Sequence, residues 1–287
     1  MASLNVVRVP AWSRQAWLIH GFSTRTGGKT TVYRPGKTDL NLGFTSSDDP
    51  GLVTKNRKLF VSAAAGGKQM LGMVTLQQIH SSLIRRVTAE DIATPLKGDG
   101  LMTGQPGVLL GIQTADCIPV LVADRKNRAV AAFHAGWRGT LARIVETGVG
   151  RMRLEFGSKP EHLIASIGPG IGQCCYSVGD EVRQQFESQF TYAPELFREV
   201  FDSDPVKEKY PMLFLTARAP GHSDLGPAMH LDLVEANRRQ LLAAGIKKGS
   251  IFVTGQCTGC NTDRFFSHRI EKGFTGRMMS VIGIAPG

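Results

Sequence analysis

The stretch from Gly107 to Gly139 constrains the fold more than any other part of the chain. Gly107-Val-Leu-Leu-Gly-Ile-Gln113 is an apolar run, Thr114-Ala115-Asp116 interrupts it, and Cys117-Ile-Pro-Val-Leu-Val-Ala123 resumes it. Asp124-Arg-Lys-Asn-Arg128 then reads as a hairpin loop, and Ala129-Val-Ala-Ala-Phe-His134 as the returning strand. Runs apolar at nearly every position, not at alternate ones, are buried strands. Antiparallel pairing across the loop puts Cys117 opposite His134, within one register step. Directly paired Cβ atoms lie roughly 5 Å apart, so the two side chains should touch.

Beyond His134 the chain continues Ala135-Gly136-Trp137-Arg138-Gly139, and from about Thr140 apolar residues Leu141, Ile144, Val145 and Met152 recur at helical spacing. A strand, a glycine-rich turn and a helix start offer backbone N–H groups to an anion, and Arg138 adds a positive charge. A tight turn with a packed Trp137 is the other reading. Elsewhere the pattern predicts a helix over 53–65 and strands over 73–76 and 83–87, whereas the segment up to Asn41 alternates poorly and reads as loop-like around Thr24-Arg25-Thr26-Gly27-Gly28. No linker-like segment or internal repeat interrupts the chain. We expect one domain over 1–287.

Composition narrows the function classes. The 287 residues are 42% hydrophobic, enough for a sizeable core, and carry 34 Lys+Arg against 24 Asp+Glu, a net charge of +10. The cations are scattered and no aromatic-basic signature accompanies them, so specific nucleic-acid binding is not expected. A basic surface facing an anionic substrate explains the surplus equally well. No apolar run reaches the roughly 20 residues of a membrane helix, and the N-terminal stretch lacks a secretory pattern. The five cysteines form an odd set in a long chain, which argues for reduced thiols and a cytoplasmic protein.

His80, Cys117 and His134 stand near strand ends. Two imidazoles and a thiolate around an open fourth position suit a catalytic zinc ion, which can acidify a water. A core cysteine with incidental histidines is the alternative, and the hairpin register favours the metal. One Cys257-x-x-Cys260 falls short of a structural zinc pattern, and Gly168-Pro-Gly-Ile-Gly172 is better read as turn than as a dinucleotide loop.

Leu76-Gln-Gln-Ile-His80, Asp99-Gly-Leu-Met-Thr103, Thr114-Ala-Asp-Cys-Ile-Pro-Val120, His134-Ala-Gly-Trp-Arg-Gly139, Ile167-Gly-Pro-Gly-Ile-Gly172 and Phe265-Phe-Ser-His-Arg269 with Thr275-Gly-Arg277 together resemble the ordered motifs of the laccase-domain, or polyphenol oxidase, family. That family is also described as bacterial purine nucleoside phosphorylase and peptidoglycan editing factor. His20-Gly-Phe-Ser-Thr-Arg-Thr-Gly-Gly28 and Leu40-Asn-Leu-Gly43 extend the resemblance over nearly the whole chain.

The resemblance implies an α/β (α+β) fold of layered mixed β-sheets flanked by helices, similar to the catalytic domain of cytotoxic necrotizing factor toxins. It implies metal ligands at His80, Cys117 and His134, with zinc (Zn2+) expected and copper (Cu2+) as the alternative. The implied activity is phosphorolysis of inosine, adenosine and methylthioadenosine, with some adenosine deamination. Purine nucleosides and phosphate would be its partners, and the protein a monomer or small homo-oligomer. Arg25, Asn41, Gln78, Asp99, Arg138, Arg269 and Arg277 are the expected substrate-binding residues. Cys117, His134 and Asp116 are the expected catalytic ones. Asp116 and Asp99 suit proton transfer or ribose hydroxyl binding, or else simply cap turns. The chain departs from the family pattern at Gly98 and Gly100, where alanine is expected on one side of Asp99 or both, and at an insertion-like segment, 210–220.

Two other chemistries compete. Copper-dependent phenol oxidation of the multicopper kind uses many histidines in H-x-H pairs, and none of the seven histidines forms one. A metal-free hydrolase or amidase linked to peptidoglycan editing would use Cys117 as nucleophile and His134 as base. It would have no need of His80. The H-x-E and P-C-x-x-C patterns of zinc nucleobase deaminases are absent, so any deamination uses another constellation.

Overall fold

The computed structural model describes residues 4–200 and 228–286, and the insertion-like segment 210–220 lies outside them. The chain divides into two compact units, Met1–Gly172 with Leu233–Gly287, and Gln173–Asp232.

In chain order the strands of the first unit are β1 (Val6–Val7), β2 (Leu18–Ser23), β3 (Thr26–Thr30), β4 (Gly72–Gln77), β5 (Ile84–Arg86), β6 (Leu96–Lys97), β7 (Gly100–Thr103), β8 (Val108–Thr114), β9 (Ile118–Asp124), β10 (Ala129–Ala135) and β11 (Leu163–Ile167). The second unit contributes β12 (Ser177–Val178), β13 (Phe197–Val200) and β14 (Ala228–Leu231), before the chain returns to the first with β15 (Ile251–Val253) and β16 (Met278–Ile284). The helices are α1 (Pro50–Ala65), α2 (Trp137–Leu141), α3 (Ile144–Phe156), α4 (Asp180–Gln189) and α5 (Leu233–Ala243).

Two six-stranded mixed sheets form the body of the first unit, in the orders β1-β2-β16-β8-β4-β6 and β15-β11-β9-β10-β7-β5. They face each other across one apolar core in which Phe22, Leu110 and Ile282 of the first sheet meet Leu121, Val130 and Ala132 of the second. The outer face of the first sheet packs under α1, through Ile19, Leu109 and Val281 against Phe60 and Ala64. The outer face of the second is covered by α3: Gly148 lies so close to Phe133 that a Cβ there would be 2.3 Å from its Cζ. Helix, sheet, sheet and helix are therefore stacked as layers. The central strands β2, β8, β9, β10, β11 and β16 are buried on both faces, which is why β8, β9 and β10 read as continuous apolar runs. In the second unit, β12, β14 and β13 form a small antiparallel sheet in that order.

The hairpin that organises the site forms as the sequence predicts. Strands β9 and β10 pair antiparallel with His134 opposite Pro119 and Ala135 opposite Ile118. Continuing that register puts Gly136 opposite Cys117, two residues from the expected Cys117–His134 pairing. His134 and Cys117 thus remain on one face as diagonal neighbours. The first helix starts earlier than its apolar period suggests, because Asp49 caps it by accepting the Leu52 N–H at 2.8 Å and Pro50 supplies a preset first turn. The single helix expected after His134 is instead α2 and α3, broken where Arg143 takes a left-handed conformation at φ 56°. The loop-like reading around Thr24–Gly28 is corrected, since Thr26–Thr30 form β3, and the poor alternation before it reflects β2, buried at all six positions. Among the described residues no helix is long and apolar enough to cross a membrane.

Candidate metal and active site

Three chain segments deliver the site. Cys117 precedes β9, His134 ends β10, and His80 lies in the loop that leaves β4. One ligand atom from each of these three residues lies within 4.8 Å of the others, and the two imidazole rings meet edge to face with centroids 5.0 Å apart. Where Cys117 and His80 converge a side chain at Gly136 would press on both: a Cβ there would lie 3.0 Å from Cys117 Sγ and 3.3 Å from His80 Cδ2. His134 is almost fully buried and His80 is exposed, so the cluster opens to solvent on the His80 side.

Asp99, wholly buried, lies behind both histidines. Its Oδ1 is 2.8 Å from His134 Nδ1 and accepts the His80 N–H at 3.0 Å. Its Oδ2 accepts from the Ser81 N–H at 2.6 Å, the Ser81 hydroxyl at 2.7 Å and the Ile79 N–H at 3.3 Å. The flanking glycines that depart from the family pattern are explained here. Gly98 adopts φ +148°, where a Cβ would be 2.8 Å from the Leu83 carbonyl oxygen, and a Cβ on Gly100 would be 2.6 Å from Ile84.

The electrostatics follow from these contacts. Burial alone would raise the Asp99 carboxyl, but its bonds to His134 and Ser81 overcome that and hold it down at about 2. Burial would lower His134, yet the adjoining Cys117 and Asp99 push it up to about 9. Burial would likewise raise the Cys117 thiol, and His134 with His80 bring it down to about 6. Without a metal the pair is therefore thiolate and imidazolium across neutral pH. A thiolate with two imidazoles is also the donor set that borderline-soft divalent ions prefer.

The other expected residues divide. Asp116, at φ 90°, has both oxygens occupied, Oδ1 by the Thr258 hydroxyl at 2.6 Å and Oδ2 by the Arg269 N–H at 2.7 Å. It clips two loops beside Cys117, which favours the turn-forming side of its two readings. Arg25, expected to bind substrate, lies inside the protein. It is 1% exposed and its guanidinium is spent on Asp39, Glu271 and the Thr262 carbonyl. Asn41 is also internal: its Oδ1 accepts the N–H of Arg277 at 2.8 Å and of Gly43 at 3.0 Å, while Nδ2 donates to Asp48. Gln78 mimics a strand residue, exchanging two hydrogen bonds with the Gln113 backbone just beyond the end of β4. Arg277 donates to the Thr275 and Gly276 carbonyls. Arg138 is exposed and lies over the Trp137 ring at 4.3 Å, and Arg269 is exposed next to Asp116. Sequence reasoning missed Ser81, Gly136 and Thr258. Ser81 could have been found, since it directly follows a candidate ligand in a polar loop.

A family profile described as multi-copper polyphenol oxidoreductase laccase matches residues 19–285. The chain belongs to this family. Within it, the chain is 34% identical over 276 residues to the protein named purine nucleoside phosphorylase YlmD of Geobacillus stearothermophilus, covering 93% of this chain and 90% of that one. It is 37% identical over 265 residues to a Deinococcus radiodurans protein named purine nucleoside phosphorylase, covering 92% and 88%. Among solved structures, the hypothetical protein YfiH of Bacillus licheniformis superposes with a TM-score of 0.79 at 33% identity, over 98% of this chain and 97% of that one. The layered mixed-sheet fold is thus that of YfiH and YlmD proteins.

Proposed function

We propose that this chain is a zinc-dependent purine nucleoside phosphorylase, acting in the cytoplasm on inosine, adenosine and methylthioadenosine, with adenosine deamination as a secondary activity. The convergence of His80, Cys117 and His134 carries this reading, supported by the names of the relatives. The donor set fits the ion: three protein ligands of N and S type leave one position for water or substrate. When bound, zinc would polarise a substrate oxygen or acidify a water.

The remaining chemistry belongs to the chain. In phosphorolysis the bond between ribose C1′ and the purine nitrogen breaks while one from C1′ to a phosphate oxygen forms, through an oxocarbenium-like transition state. Arg138 and Arg269, both exposed beside the cluster, would fix the phosphate and offset its charge. Arg277, with part of its guanidinium spent on carbonyls, would line the same rim. Asp99 is occupied by internal donors and holds His134 in place, so we assign it no contact with ribose. Elemental analysis of the purified protein, with chromatography of the three nucleosides incubated with and without phosphate, tests the reading. Stoichiometric zinc and phosphate-dependent base release are expected. Copper with phenol oxidation, or base release indifferent to phosphate, contradicts it.

One observation favours a second reading. Asp99, His134 and Cys117 are aligned as orienting carboxylate, base and nucleophile, the arrangement of a cysteine hydrolase. His80 separates the two: its replacement by alanine abolishes a metal-dependent activity and spares a dyad.

A further inference from the structure

We infer that Asp99 is the positioning residue of the metal site: one buried carboxylate fixes the ring nitrogen that His134 presents and the loop that carries His80. The inference rests on the metal reading of His80, Cys117 and His134. A carboxylate that only caps a turn accepts from local backbone. Asp99 instead joins two elements remote in sequence, through the His134 ring at 2.8 Å and through the N–H groups of Ile79, His80 and Ser81 at 3.3, 3.0 and 2.6 Å. The backbone repeats the link, since the His134 N–H donates to the Asp99 carbonyl at 2.7 Å.

Two consequences follow for the ligands. An anionic Asp99 accepts from Nδ1, so His134 keeps its proton there and presents Nε2 with its lone pair to the cluster. His80 is held at φ 56°, a backbone state unfavourable for a histidine, and the acceptor directly under its own N–H stabilises that turn. All five donors to Asp99 are N–H or O–H groups, and the ionised carboxylate is acceptor-only, so asparagine is no substitute. Its amide NH2 would face the donors of the 79–81 loop and displace His80.

The test begins with the parent protein, stripped of metal and titrated with Co2+. Ligand-field and thiolate-to-cobalt bands from a low-symmetry site of two imidazole nitrogens and one thiolate sulfur are expected. Failure of the parent to give them contradicts the metal reading itself and overturns this inference with it. Given a parent signal, Asp99→Asn is expected to weaken Co2+ affinity about 10- to 100-fold, the usual effect of losing an outer-shell partner, and to shift the ligand-field bands of the metal that still binds. A merely structural role would lower the melting temperature without moving those bands. A folded Asp99→Asn protein with parental affinity and spectrum overturns the inference. Nitrogen-15 spectra of the histidine rings in the zinc-loaded parent give a second test that needs no variant. His134 protonated at Nδ1 and metal-bound at Nε2 is expected, and the reverse assignment overturns the inference.

Discussion

At the scale of single residues, Gly136 shows how little freedom the cluster has. Its neighbours Cys117 Sγ and His80 Cδ2 stand where a methyl group would press on both, at 3.0 and 3.3 Å. Gly136→Ala should therefore lower metal affinity by about 10-fold, because a displaced ligand costs at least what a lost outer-shell contact does. Competition with a chromogenic chelator checks this, and unchanged affinity contradicts it. Cys117 gives a pH prediction. Burial raises its thiol, but His134 and His80 bring it to about 6, below the ordinary cysteine range. In metal-free protein the thiolate is present above pH 6 and lost as pH falls through it. The alkylation rate of Cys117, taken as the difference between parent and Cys117→Ser, should have its midpoint near pH 6, and a midpoint near the ordinary thiol value of 9 contradicts the described contacts. His134 runs the other way. Burial would lower it, but Cys117 and Asp99 raise it, so its pairing is lost as pH rises through about 9, and because the Cys117 thiolate is present only above about 6, the ion pair is fullest between those two values.

At the scale of elements, the hairpin of β9 and β10 carries two of the three ligands, and α3 supports it from behind. The contact turns on Gly148, whose absent Cβ would lie 2.3 Å from Phe133 Cζ. Gly148→Ala should destabilise the protein by about 1–3 kcal/mol through overpacking, seen as a lower urea midpoint. An unchanged midpoint would show that the layer yields easily. This hairpin was also the most legible part of the sequence. Its strands are bounded by polar turns, and a polar five-residue loop leaves little choice of register. Strand β2 was not legible, because burial on both faces erases the alternation that marks a strand. The break at Arg143 was hidden for a related reason: apolar spacing continues across it, from Leu141 to Ile144 and Val145, although the backbone does not.

At the scale of the whole molecule, the net charge of +10 separates into parts. Some of the arginines are internal or paired: Arg25 with Asp39 and Glu271, Arg34 with Asp39, Arg151 with Glu155. Others, Arg138 and Arg269 among them, are exposed. Composition could not tell these groups apart, because a guanidinium buried on a carboxylate and one facing solvent count alike. The clustering of the three candidate ligands was partly legible, since the hairpin register brings Cys117 and His134 together. The supporting shell was not. Apart from Ser81, marked by its place next to His80, Gly136 and the true partners of Asp99 depend on the 79–81 loop meeting Asp99 beside β10, which no local pattern encodes. The proposed phosphorolysis has ribose 1-phosphate as its signature. The most direct measurement is the yield of ribose 1-phosphate and hypoxanthine from inosine and phosphate, compared between the zinc-loaded parent and His80→Ala. Equimolar products from the parent and none from the variant are predicted. Free ribose in place of ribose 1-phosphate, or equal turnover by the variant, would contradict the account.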